Sequence, residues 1–363
     1  MKKSVLLLFL CAFFCLNAAA QRRTENVILI TLDGARGREI FGGMDTELFK
    51  KIDADAENKE VFKTFAAPTP EARREILMPF FWQVWMKNHG SIAGNRALGS
   101  EARTTNNLFF SYPGYSEILT GEARDDVIKS NAFVQNRFPS VLQFLQKKLR
   151  LDSNRVAAFA SWRVMNAIAA SEPDAFLINA GHEIYANADR ETERLSAAQF
   201  ETLLPSEAVR HDYYTFRLAL AHLKKHRPRV LQISFGETDS WAHSRRYDMV
   251  LKALRRTDDY FKELWRFLET DGQYRGKTTI LVTVDHGRGA GADDWNNHNA
   301  SIAEARYIWA AFISPDTSLR GEWKAAPPVY QNQIAATLSK YLGFDYLEQN
   351  PNAGRPIEAL FAK

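Results

Sequence analysis

Three apolar runs along the chain end alike. Val27-Ile28-Leu29-Ile30-Thr31-Leu32 stops at Asp33-Gly34. Val230-Leu231-Gln232-Ile233-Ser234-Phe235 stops at Gly236, with Asp239 close behind. Thr278-Thr279-Ile280-Leu281-Val282-Thr283-Val284 stops at Asp285-His286-Gly287. Runs of this length without polar alternation predict strands buried on both faces, the pattern of a parallel sheet. Between them apolar residues recur at helical spacing. Residues 140–150 predict one helix, with Val141, Leu142, Phe144, Leu145 and Leu149 inward; 211–225 predict a second and 245–268 a third. Further strands are expected at 156–160 and within 305–314. Strand and helix in alternation predict an α/β fold with a mostly parallel sheet. Residues 41–103, interrupted by Pro68, Pro70 and Pro79, show no clear pattern.

In such a sheet ligands collect beyond the carboxyl ends of the strands. Asp33, Asp239 and Asp285 all fall there, which sets three carboxylates on one rim. A single Asp after a strand is usually a cap or turn residue. Three of them accompanied by histidines exceed that role. Asp239 and His243 stand four residues apart, so a helical turn would put both on one face. Asp285 and His286 are adjacent on a turn freed by Gly287, and His298 follows a glycine-rich loop. Carboxylates mixed with imidazoles suit Zn²⁺, with Mn²⁺ the competitor. The set is too large for one tetrahedral ion and predicts two divalent metal ions side by side.

Other histidines carry less. His222 and His226 sit in a stretch ending Lys224-Lys225-His226-Arg227 and read as a solvated basic face, while His182 in Asn179-Ala180-Gly181-His182 is a candidate for lining the site. Gly287-Arg288-Gly289-Ala290-Gly291 reads as a flexible connector rather than a dinucleotide loop, because no helix signal follows it.

The amino terminus adds a compartment. Met1-Lys2-Lys3, an apolar stretch and Ala18-Ala19-Ala20 predict a signal peptide over residues 1–20 and an exported protein, periplasmic or secreted. The stretch is shorter than the roughly 20 residues of a membrane span, so no stable span is expected in the mature chain. Both cysteines, Cys11 and Cys15, lie inside it. The mature protein would then have neither disulfides nor thiolate ligands, and any metal falls to His, Asp, Glu or a hydroxyl. The net charge of +4 includes Lys2 and Lys3, too little to predict a nucleic-acid polymer as partner. Residues 21–363 are expected to form a single domain.

Ser111-Tyr112-Pro113-Gly114-Tyr115-Ser116-Glu117-Ile118-Leu119-Thr120-Gly121 is the richest stretch. Proline is tolerated in a first helical turn, so Ser111 would open a helix, where free N–H groups and the dipole favour anions. A hydroxyl there reads equally as an N-cap or, beside a metal, as a nucleophile.

The ordered set Thr31-Leu32-Asp33-Gly34, Ser111-x-Pro113 with Thr120-Gly121, Asp239-x₃-His243, Asp285-His286-Gly287 and His298 resembles the alkaline phosphatase superfamily, on the side of the type I phosphodiesterases (nucleotide pyrophosphatases) and the sulfatase-like hydrolases. The resemblance implies an alkaline-phosphatase-like three-layer sandwich, a central mostly parallel sheet flanked by helices. It implies a hydrolase of small-molecule phosphate esters working through a phosphoserine on two metals. It assigns Asp33, Ser111, Asp285 and His286 to the metal that activates the nucleophile, and Asp239, His243 and His298 to the metal that stabilises the leaving oxygen. The nucleophile in these families stands nine residues before the Thr of Thr120-Gly121, which selects Ser111 over Ser116. It places Asn131 near a phosphoryl oxygen and Arg163 near a basic phosphate clamp, whose second cationic position is Met165 here, leaving diesters open.

Two departures follow. Tyr115 stands where sulfatases carry the Arg of their modification motif, which argues against formylglycine. The 286–298 loop is too short to hold a cap, so residues 41–103 are the segment from which a substrate cap or insertion would come. The rival readings are sulfate-ester, phosphonate or nucleotide-diester hydrolysis at the same site, transfer of the phosphate to an acceptor alcohol, and an exported metal-binding relative without activity.

Overall fold

The computed structural model describes residues 22–362 apart from Pro205; the expected signal peptide at 1–20 lies outside the described residues. The long apolar runs form the middle of an eight-stranded sheet. Its strands are β1 (Asn26–Leu32), β2 (Gly90–Ala93), β3 (Val156–Ala160), β4 (Leu177–Ala180), β5 (Val230–Phe235), β6 (Thr278–Thr283), β7 (Ala310–Ile313) and β8 (Gly321–Glu322). They lie in the order β4-β3-β5-β1-β6-β7-β2-β8. The five strands from β4 to β6 are mutually parallel, and β7 runs against both its neighbours. Every residue of β1, β3, β5 and β6 is buried, as expected for strands covered on both faces.

The helices that matter for the site are α1 (Ser111–Thr120), α2 (Val141–Leu149), α3 (Asp212–His226), α4 (Glu237–His243) and α5 (Tyr247–Thr270). Local chemistry sets their ends. Ser140 accepts from Gln143 N and its own N–H is bonded by the Gln143 side chain, a capping box that starts α2. The 24-residue α5 buries Leu251, Leu254, Phe261, Leu264 and Leu268 and leaves most of its charges outside, Asp258 being buried. Among the described residues no helix is long and apolar enough to cross a membrane.

Residues 41–103 fold into short helices (Thr46–Ile52, Glu60–Phe65, Pro70–Leu77), a π-helical segment Phe81–His89 and strand β2. The π-helical segment is rooted in the core. Asp258 of α5 accepts from the N–H groups of Phe80 and Phe81 at 2.9 and 2.7 Å, and Trp85 stacks on Phe261 with ring centroids 4.7 Å apart.

Candidate metal centre

Register brings the acids level. Thr31 pairs with Ser234 on one side and Thr283 on the other, so two residues further on Asp33 lies beside Gly236 and Asp285. Each carboxylate spends one oxygen on a local donor. Gly34 N–H donates to Asp285 Oδ1 at 3.0 Å, and the Tyr115 hydroxyl donates to Asp33 Oδ2 at 3.1 Å. The other oxygens, Asp33 Oδ1 and Asp285 Oδ2, are buried without a hydrogen-bond partner. They lie 3.4 and 3.3 Å from His286 Nε2, and Ser111 Oγ lies 3.4 Å from the same nitrogen. His286 Nδ1 faces the Gly287 carbonyl at 2.9 Å. A proton on Nδ1 satisfies that carbonyl and leaves the Nε2 lone pair turned inward.

Buried acceptors normally have donors; here two carboxylate oxygens without a partner and a serine hydroxyl converge on one imidazole nitrogen. Burial, reinforced by Asp33, pushes the Asp285 carboxyl up to about 8. Burial alone would lower His286, but Asp285 and Asp33 outweigh it and raise the imidazole to about 9. The Asp285 shift is chiefly the cost of burial and the His286 shift the pull of two carboxylates, and the donor set fits a divalent cation. Asp33, Asp285 and His286 each offer a ligand atom within 4.8 Å of the others.

A second group adjoins it. Asp239 and His243, on successive turns of α4, meet His298. The two imidazole Nε2 atoms are 2.9 Å apart, and each is 3.5 Å from Asp239 Oδ1. His298 Nδ1 faces the Phe109 carbonyl at 3.0 Å, which again turns the Nε2 lone pair inward. Burial holds His298 well below the usual histidine range, helped by His286 and Arg288, and burial also lowers His243. Neutral imidazoles facing a carboxylate are metal-ligand chemistry. Asp239, His286 and His298 form a second cluster with ligand atoms within 4.8 Å. Asp33, Ser111, Asp239, His243, Asp285, His286 and His298 are thus all brought to one place.

Several residues deliver Ser111 there. Phe109 takes a left-handed conformation at φ 53°, unusual for an aromatic. That turn aims its carbonyl at His298 and leads into α1, where Ser111 is the first residue. Within α1, Gly114 backs onto the strand end: a Cβ there would sit 2.2 Å from the Asp285 carbonyl oxygen. Glu117, buried in α1, accepts from the N–H and hydroxyl of Thr105 and from the N–H and side-chain amide of Asn106, all at 2.8–2.9 Å. Ser116 is buried and accepts from Asn136 at 3.2 Å, away from the carboxylates.

The two expected phosphate contacts lie outside the cluster, and only Asn131 is tied to the helix start. Asn131 is exposed and accepts from Tyr112 N–H at 2.9 Å, which caps α1 and leaves its amide N–H groups free to donate. Arg163 is exposed, forms no ion pair among the described residues, and lies 5.2 Å over the ring of Phe133, two residues from Asn131. His182 is not in either cluster; it lies against Phe200.

Two readings of the sequence are corrected. His222 is not on a solvated face: it is buried, between the Tyr185 hydroxyl at 2.8 Å and the Asn154 carbonyl at 2.8 Å. The 287–291 stretch is not a slack connector. Arg288 is buried and donates to the carbonyls of Gly34 and Asn296 at 3.2 and 2.7 Å and to Asp239 Oδ1. Arg36 holds the Gly289 carbonyl at 3.1 Å, and Gly291 N–H donates to Asp294. An arginine among loop glycines reads as solvated in one dimension; its acceptors come from positions as distant as Gly34. Tyr115 and Glu117, also missed as contributors, looked like ordinary helix residues for the same reason.

The fold is that of the alkaline phosphatase superfamily. The alkaline phosphatase PafA superposes with a TM-score of 0.59 at 10% identity, covering 94% of this chain and 100% of that one. The lipoteichoic acid synthase LtaP from Listeria monocytogenes gives 0.55 at 12%, covering 94% and 75%. The phosphonate monoester hydrolase SpPMH from Silicibacter pomeroyi gives 0.53 at 12%, covering 93% and 77%. No family model matches the sequence, and no curated protein matches it.

Proposed function

We propose that this chain is an exported, two-metal hydrolase of small-molecule phosphate esters with Ser111 as nucleophile. The observation that carries the reading is the pair of partnerless buried oxygens, Asp33 Oδ1 and Asp285 Oδ2, facing His286 Nε2 beside the Ser111 hydroxyl. Two divalent cations, Zn²⁺ first and Mn²⁺ second by donor type, would be held by Asp33, Asp285, His286 and Ser111 on one side and Asp239, His243 and His298 on the other. Bound there they would ease loss of the Ser111 proton and neutralise charge on the phosphoryl group.

The chain's own residues supply the rest. Ser111 Oγ attacks phosphorus, the P–O bond to the alcohol breaks, and a phosphoserine is left. Water then attacks that phosphorus, the serine oxygen leaves and takes up a proton, and phosphate is released. In the first turn of α1 the Tyr112 N–H is held by Asn131, Pro113 has none and the Gly114 N–H bonds the Phe110 carbonyl, which leaves the Ser111 N–H for the developing charge, and Asn131 can add its amide donors. Arg163, carrying no acid partner among the described residues, would attract the substrate anion. Residues 41–103 wall one side of a cavity of about 400 Å³ that also meets Arg288 and Gly289 but is lined by neither Ser111 nor the metal-ligand residues.

The test is Ser111→Ala, assayed on p-nitrophenyl phosphate, bis-p-nitrophenyl phosphate and the sulfate and phosphonate counterparts. Phosphate-ester turnover should be abolished with bound metal near the native level. Native-like turnover in the variant rejects the serine mechanism, and native activity confined to sulfate or phosphonate rejects the substrate class.

A further inference from the structure

The two ligand groups differ in what surrounds their carboxylates. Asp33 and Asp285 accept hydrogen bonds from neutral local donors, Tyr115 O–H and Gly34 N–H, and Arg288 acts on Asp33 only through space. Asp239 instead receives a guanidinium. Arg288 Nε and Nη1 are committed to the carbonyls of Gly34 and Asn296, which fixes the plane of the fork. Nη2 then reaches Asp239 Oδ1, the same oxygen that His243 Nε2 and His298 Nε2 face at 3.5 Å each.

The placement is built in. Gly34 has φ +56°, and a Cβ there would lie 2.8 Å from Arg288 Nε and 2.9 Å from Nη2, so any side chain at 34 would collide with the guanidinium. From the other side Arg36, itself paired with Glu39, grips the Gly289 carbonyl and holds the loop down. An arginine cannot shed its charge as a lysine or histidine can.

We propose that Arg288 makes the two cation sites unequal by competing for Asp239 Oδ1, so that the Asp33–Asp285–His286–Ser111 site fills first and the Asp239–His243–His298 site fills second and weakly. The inference rests on the two-cation reading above. A fixed positive charge within a few ångströms repels a dication through a medium of lowered dielectric and occupies one of its ligand lone pairs. The separation expected is on the order of a hundredfold in affinity. An anion lying between the sites offsets the repulsion, so inorganic phosphate should tighten the second step.

The experiment is zinc titration of the native protein against chelators of graded affinity, with bound zinc counted by native mass spectrometry. Two steps about a hundredfold apart are expected, the second moving to lower free zinc when inorganic phosphate is added. Arg288→Gln should bring the steps to within about tenfold by tightening the second far more than the first. Two equal steps in the native protein, or an unchanged gap in Arg288→Gln, overturn the proposal while leaving the two-cation reading intact. A native protein that takes up no zinc at either step overturns both. Should Arg288→Gln not fold, the native two-step titration with and without phosphate decides alone: a single step, or a second step that phosphate does not move, overturns the proposal.

Discussion

Gly114 sits inside α1, where alanine would ordinarily be preferred by about 1 kcal/mol. The tertiary structure reverses that expectation. A methyl at position 114 would lie 2.2 Å from the Asp285 carbonyl oxygen and 2.8 Å from its carbon, whereas a carbon needs roughly 3.3 Å from such an oxygen. Helix or strand end must therefore retreat by about 1 Å. The helix carries Ser111 and the strand end carries Asp285 and His286, so either movement opens the 3.4 Å gap between Ser111 Oγ and His286 Nε2. Overpacking of this kind costs about 1–3 kcal/mol, and a 1 Å misplacement costs about a hundredfold in rate. Gly114→Ala should lose about two orders of magnitude in kcat/KM on p-nitrophenyl esters, with Tm lower by a few degrees. Gly272→Ala is the control, since a Cβ there meets nothing within 4 Å; it should behave as native. A Gly114→Ala protein that keeps its activity and gains Tm, as helix propensity alone would have it, refutes the argument that this close approach positions the serine.

Chelation should lower Tm by several degrees and added Zn²⁺ should restore it, because a ligand at a hundred times its Kd stabilises by about 2.7 kcal/mol; melts indifferent to chelator and metal would contradict the cation sites. Burial holds His222 at about 4 against its ordinary 6.5. The unfolded chain therefore binds the proton first as pH falls. The full native margin holds above pH 6.5, and roughly 3 kcal/mol of it is lost on descending to about pH 4. Urea denaturation of His222→Gln should show a flatter acid limb in that window, and a slope equal to the native one would be incompatible with a buried neutral imidazole. In Glu117→Gln one amide oxygen must serve donors that a carboxylate served with two, and its NH₂ faces other donors. A loss of about 1–3 kcal/mol follows, visible as a lower Tm with reduced turnover; a native melt would show that the tie between α1 and residues 105–106 is dispensable.

Much of the sheet was written in local order. The runs that became β1, β5 and β6 are apolar without alternation, and no arrangement other than burial on both faces suits them. The ends of α2 and α5 fall within a residue or two of the helical pattern, because capping and periodicity act over a few positions. Strand β7 proved shorter than the apolar stretch around it and antiparallel, a direction that its residues do not encode by themselves. The 41–103 segment gave no pattern because its elements are short and its order comes from partners in α5 and the sheet, such as Asp258 beneath Phe80 and Phe81.

The sequence by itself determined that acids and histidines stand just past strand ends, that Asp239 and His243 can share a helix face, and that Ser111 can open a helix. These are properties of neighbours in the chain, set by backbone geometry within a few residues. Only the tertiary structure decided that Asp33 and Asp285 each keep one buried oxygen without a donor, that Arg288 turns inward onto Asp239, that Gly114 lets α1 touch the Asp285 backbone, and that His222 is sealed from water. Each of those depends on sheet register and on contacts between residues up to some 250 positions apart, where the alternatives a side chain can choose among are fixed by the packing of elements and not by the residues beside it.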